Sequence, residues 1–156
     1  MRLLTWTFAA YLAAVLVVTL WPSPQSTEAP GWATATLDFL QSLGIPITLP
    51  VLEALANVVM FGPFGVLGVP LLRGATARRR GAPLGVWRAV GIVTLAGCAL
   101  SAAIELTQNL LPGRVPTVQD VVMNTAGALL GSLLVAVVLL AVASRRPRAR
   151  AGSPNR

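Results

Sequence analysis

Hydrophobic positions in this chain gather into four long runs, at residues 3–21, 51–72, 89–111 and 121–143. At about 1.5 Å per residue the shortest of them just crosses a hydrocarbon core of roughly 30 Å, and the others cross with length to spare. The pattern predicts an all-α integral membrane protein: a four-transmembrane-helix bundle occupying residues 1–144, followed by a basic, disordered tail at 145–156. The first run follows Met1 and Arg2, so a cleaved signal peptide competes with a retained helix. Its apolar part exceeds the roughly 7–15 residues of a signal h-region, and Trp21-Pro22-Ser23-Pro24 offers no small-x-small cleavage site, which favours retention.

Between the first two runs lies a Pro-, Ser- and Thr-bearing loop, residues 22–50. Within it Trp32, Thr36, Phe39, Leu40 and Leu43 recur at helical spacing, so a short interfacial helix is expected at about 32–43, with Trp32 at headgroup depth. An unstructured loop is the alternative, and Gly44 and Pro46 end the segment in either case. The second run contains Pro63 and Pro70, which membrane helices tolerate. Pro63 cannot donate to the Val59 carbonyl, so a kink is expected there. Gly62, Gly65 and Gly68 would admit a neighbouring helix at close range.

Composition supports the membrane reading: 55% of residues are hydrophobic and only 11% charged, against about 25% charged in soluble domains. The net charge of +7 comes from twelve arginines placed at the ends of apolar runs. That distribution is an orientation signal rather than a nucleic-acid footprint. Arg2, the 73–88 loop with five arginines, and the tail fall on one side; the 22–50 loop and the 112–120 turn fall on the other. The expectation is a bacterial cell membrane protein with both termini cytoplasmic. Cys98 is the sole cysteine, so no intramolecular disulfide can form, and histidine is absent. Catalysis through Ser-His-Asp or Cys-His and every His-based zinc site are excluded. Acid–base chemistry would rest on Glu28, Asp38, Glu53, Glu105 and Asp120. No metal or cofactor is expected.

The expected topology brings polar residues of three helices to one depth, about 5–10 Å below the outer interface by helical rise. Glu53 and Asn57 share a face of the second run; Glu105, Gln108 and Asn109 share one of the third; Asp120 and Asn124 share one of the fourth. An unpaired acid facing lipid costs roughly 2.5–3.5 kcal/mol at the membrane centre and less near the interface, so these faces should turn toward one another and enclose a polar pocket. Each residue also has a plainer role. Glu53 suits a helix start, Asp120 suits a cap, and Asn57 and Asn124 suit interhelical hydrogen bonding. Glu105 is the exception, because a helix C-terminal end disfavours an anion. Pro112-Gly113 would let Arg114 fold back over Glu105 or Asp120, pairing with an acid or holding an anionic ligand group.

Four stretches of this sequence, in order and in register, resemble the VanZ-like family of small bacterial membrane proteins. They are Asn57-Val-Val-Met-Phe61-Gly-Pro63-Phe64-Gly65, Ile104-Glu105-Leu-Thr-Gln108, Pro112-Gly113-Arg114, and Asp120-Val-Val-Met-Asn124-Thr125-Ala-Gly127 followed by Gly131. The resemblance spans residues 51–135 and implies functional weight at Asn57, Phe61, Pro63, Gly65, Glu105, Gln108, Gly113, Arg114, Asp120, Asn124 and Gly127. It also implies an association with reduced susceptibility to the glycolipopeptide teicoplanin, without defining a biochemical activity. Many relatives carry a second acid three residues after the arginine, where this chain has Thr117. That departure weakens any mechanism needing two carboxylates there.

The expected ligand-binding set is Asn57, Glu105, Gln108, Arg114, Asp120 and Asn124, with Glu105 and Asp120 as the candidate catalytic groups. Partners expected from this set are membrane lipids, including a lipid-linked or glycolipid ligand of the cell envelope, and no nucleic acid. An intramembrane acid–base enzyme on an envelope lipid and a structural helper without ligand are the alternatives. The inner halves of the runs hold almost no polar residue, which disfavours a channel, and no internal repeat suggests a transporter built from two halves. Gly127-x3-Gly131 offers a packing motif for a homo-oligomer.

Overall fold

The computed structural model of the chain describes residues 1–20, 31–110 and 117–145. Five helices occupy them: α1 (Arg2–Leu20), α2 (Gly31–Ser42), α3 (Leu49–Arg80), α4 (Val86–Gln108) and α5 (Val118–Ser144). All but α2 are long and apolar enough to cross a membrane, in agreement with the four runs of the sequence. At 12 residues α2 is too short to span, and it falls on the stretch where helical spacing appears in the 22–50 loop. Glu28, Arg114 and residues 146–156, with the expected disorder of the tail, lie outside the described residues.

One boundary departs substantially from expectation. The arginines of residues 73–80 stand on α3, which continues to Arg80, instead of in a long loop. Charge ends a span without ending a helix, and Arg and Ala are strong helix formers. Gly81 terminates α3 by adopting φ 74°, a left-handed cap open to glycine. The connection to α4 is then only residues 81–85. It is held by α3 itself: the Arg73 guanidinium donates through Nη1 to the Leu84 carbonyl, and the Leu84 N–H donates to Thr76 Oγ1 at 2.9 Å. The third helix begins at Val86 and ends at Gln108, three residues earlier at each end than the apolar run suggests.

α3 is one helix through Pro63 and Pro70. Next to the Val59 carbonyl that Pro63 leaves without its helical donor, the Met60 carbonyl accepts a hydrogen bond from the Tyr11 hydroxyl at 2.8 Å. This bond docks α1, which otherwise buries only Val15. Phe8 adds a tilted ring contact to Phe64, with centroids 5.4 Å apart.

The tightest packing joins α3 and α5, which run parallel, with α4 antiparallel to both. A Cβ on Gly65 would collide with the Ala128 carbonyl and the Ser132 N–H; one on Gly127 would strike the Val58 carbonyl, and one on Gly131 the Gly62 carbonyl. Backbone therefore meets backbone along this seam. Lipid tails are as apolar as leucine, so such close approach, with its dispersion contacts, replaces the hydrophobic drive that folds soluble bundles. Gly127 and Gly131 consequently face α3 within the chain and are buried there, instead of forming an outward oligomer motif. On the other side of α5, Gly97 of α4 sits against Ala128 and Phe64. Phe61, Phe64, Val93, Ile104 and Ala128 form the centre of the packed core.

Candidate functional site

The α3–α5 seam determines which polar side chains meet. Positions 57, 61 and 65 are successive i,i+4 neighbours on α3, and 120, 124, 127 and 131 follow one face of α5. Once the glycines set that register, Asn57 and Asp120 face each other at the end of the seam. Asn57 Nδ2 donates to Asp120 Oδ1 at 2.6 Å, with both residues half-buried. One turn deeper, Asn124 is 4% exposed and donates through Nδ2 to Ser101 Oγ of α4 at 2.8 Å. Its Oδ1 is buried without a hydrogen-bond partner among the described residues.

α4 contributes Ser101, Ile104, Glu105 and Gln108, all buried on one helical face. Gln108 donates through Nε2 to the Thr19 carbonyl at 2.7 Å and so ties the end of α4 to the end of α1. Glu105 is 8% exposed, and its Oε2 accepts the Thr117 N–H at 3.1 Å. An anion near a helix C-terminus is electrostatically disfavoured; here it gains a backbone donor from the start of the next helix. Thr117 also caps α5, with its Oγ1 accepting the Asp120 N–H at 3.2 Å. The N-cap is therefore Thr117, and Asp120 stands in the first turn with its carboxylate directed to Asn57. Thr117 thus has a structural use in this chain, its N–H serving Glu105 and its hydroxyl capping α5.

Of the six residues expected to bind ligand, five come together: Asn57, Glu105, Gln108, Asp120 and Asn124 lie at one end of the bundle, on three helices. Arg114 lies outside the described residues. Two residues expected on the same faces point elsewhere. Glu53 and Asn109 are both exposed, Asn109 because it is the residue at which α4 ends. Ser101 and Thr19 join the cluster without having been singled out from sequence. Ser101 is legible in retrospect from its i,i+4 spacing to Glu105. Thr19 contributes only a main-chain carbonyl, for which no side-chain pattern exists. Among the described residues no three acids or thiols converge in a group able to hold a metal ion.

Four long apolar helices, with a carboxylate–amide cluster buried between them at one end of a glycine seam, define a polytopic helical membrane protein. The chain belongs to the VanZ/LLP1 family, whose model matches residues 8–140, from the first turns of α1 to the last of α5. No curated protein and no solved structure matches it. The seam explains the family-like motifs physically. Asn57-x3-Phe61-x3-Gly65 is the α3 face against α5, and Asp120-x3-Asn124-x2-Gly127-x3-Gly131 is the reciprocal face.

Proposed function

We propose that the polar cluster binds, or acts upon, the headgroup of a lipid-linked or glycolipid component of the bacterial cell envelope. In this reading the cluster opens to the outer leaflet, both termini are cytoplasmic, and α2 lies along the outer interface. The orientation rests on the arginine distribution: Arg78, Arg79, Arg80, Arg88 and Arg145 are exposed at the end opposite the cluster. Binding of this kind in the outer leaflet would connect the protein to glycopeptide susceptibility.

The observation that carries the proposal is the burial of Glu105 in an apolar bundle, at the same end as a second acid, Asp120, and three amides. Ionisable groups at such depth are expensive and mark functional centres more often than packing devices. The buried Asn124 Oδ1 adds an acceptor suited to a hydroxyl or amide of a headgroup. Arg114 would supply the cation for an anionic group. A photo-crosslinking lipid probe tests the reading: Glu105→Ala and Asn57→Ala should each label weakly, and labelling as strong as wild type would refute it. Catalysis by Glu105 or Asp120 as general acid or base extends the same reading, and turnover of an envelope lipid by the purified protein is its test.

A second reading also has a specific observation behind it. Asn57–Asp120, Asn124–Ser101 and Gln108–Thr19 are already paired within the chain, as they would be if the cluster only specified helix packing. Substituting Asn124 with alanine separates the two. A packing role lowers folded yield, whereas a ligand role lowers labelling of protein that still folds.

A further inference from the structure

The arginine-rich end of the bundle contains a groove that the polar cluster does not use. Arg73, Val86, Leu139, Leu140, Val142 and Ala143 line a cavity of about 290 Å³ between α3, the start of α4 and the end of α5. One wall is cationic. Arg73 is half-buried, and its bond to the Leu84 carbonyl uses one of the five N–H donors of a guanidinium. The other wall is aliphatic and opens outward, with Leu140 and Val142 of α5 about half exposed.

Depth matters as much as composition. Arg73 stands seven residues before the end of α3, about 10 Å along the helix by its rise. Its guanidinium is thus set below the exposed Arg78, Arg79 and Arg80, beside side chains of membrane-spanning α5. Trp87, 61% exposed at the start of α4, places an amphipathic ring at the same end, as at a headgroup boundary. Among the described residues the acids lie on α2 or toward the opposite end: Asp38, Glu53, Glu105 and Asp120. No described carboxylate therefore competes for the Arg73 guanidinium.

A fixed cation at the foot of an aliphatic groove matches a phosphate joined to an acyl chain. We propose that this groove is a binding site for an anionic phospholipid, its phosphate paired with Arg73 and an acyl chain laid along Leu139, Leu140 and Val142. The surrounding exposed arginines raise the local concentration of anionic lipid, and Arg73 selects the one that is held. This site is independent of the polar cluster at the other end.

The test is native mass spectrometry of the full chain, released from mild detergent and titrated with phosphatidylglycerol or with phosphatidylcholine of the same acyl chains. One phosphatidylglycerol should be retained with about fivefold preference, the effect of one well-placed arginine near a membrane surface. Arg73→Gln should abolish the preference, and Arg79→Gln, outside the groove, should keep it. Gln retains an amide donor for the Leu84 carbonyl. Should that variant fail to fold, Val142→Trp fills the groove from α5, leaves the Arg73–Leu84 bond intact, and should remove the preference equally. Equal retention of the two lipids by wild type, a preference that survives substitution in the groove, or an equal loss in Arg79→Gln would each overturn the proposal. Binding of inorganic phosphate with no lipid retained would overturn it as well.

Discussion

The two ends of this bundle handle polar groups in opposite ways. Toward the start of α3 and α5, Glu105, Gln108 and Asn124 are buried and joined across helices. Toward the end of α3 and the start of α4, Arg78, Arg79, Arg80 and Arg88 stand exposed, and Arg73 alone reaches back among the helices. Long arginine side chains can carry their charge out to the headgroups. Carboxylates and amides on short stems cannot, so they must find partners inside. The first end consequently depends on helix geometry to a fraction of an ångström, whereas the second tolerates displacement. Sensitivity to substitution should divide along the same line.

The largest expected effect removes the geometry that the buried end requires. Gly65→Leu forces a side chain into the α5 backbone at Ala128–Ser132, and neither partner can yield. Destabilisation should reach or pass the upper end of the roughly 1–3 kcal/mol typical of overpacking, read as loss of folded, monodisperse protein in detergent. Next comes the Asn57–Asp120 pair. A double-mutant cycle with alanine at both positions should give a coupling energy toward the upper part of the roughly 0.6–1.7 kcal/mol range for membrane hydrogen bonds. A coupling near zero would mean that the short 2.6 Å contact contributes nothing to the register of α3 and α5. Asn124→Ala deletes the Ser101 bond together with a buried acceptor. About 1 kcal/mol is expected there by reversible unfolding in mixed micelles, since part of the loss is offset by removing an unpaired oxygen.

Tyr11→Phe sharpens the comparison from the side of α1. It keeps the ring contacts and removes only the bond to the Met60 carbonyl, at about 0.5–1 kcal/mol. Its signature is faster protease cleavage within α1 while the α3–α5 seam remains protected. The smallest effect belongs to the exposed end: Arg79→Gln should leave the unfolding midpoint unchanged. A shift as large as that of Asn124→Ala would break the contrast between the ends.

Much of the architecture could be read from the sequence because the bilayer allows few solutions. Four apolar runs require four helices, since backbone polar groups in hydrocarbon must be satisfied within the segment. The same economy made Glu105, Gln108, Asp120 and Asn124 conspicuous, as polar residues at regular spacing in otherwise apolar runs. Helix ends were less legible. The run ending at Leu72 marks where hydrocarbon ends, but α3 persists to Arg80 because helix propensity does not depend on charge, and a left-handed Gly81 finally stops it. By sequence Asp120 suits the cap, and only the observed hydrogen bonds assign the cap to Thr117 and the carboxylate to Asn57.

By itself the sequence determined the number of spanning helices, the order of their polar faces and the identity of five residues that meet at one end. It could do so because periodicity and hydropathy are local properties. Partner choice was decided only by the tertiary structure. Gly127 and Gly131 could have served another chain, and Glu53 and Asn109 have the spacing to join the cluster. The close approach of α3 to α5 directs the glycines inward and sets which side chains face the buried end. That approach depends on the shape of two backbones in contact, a property that neither helix carries alone.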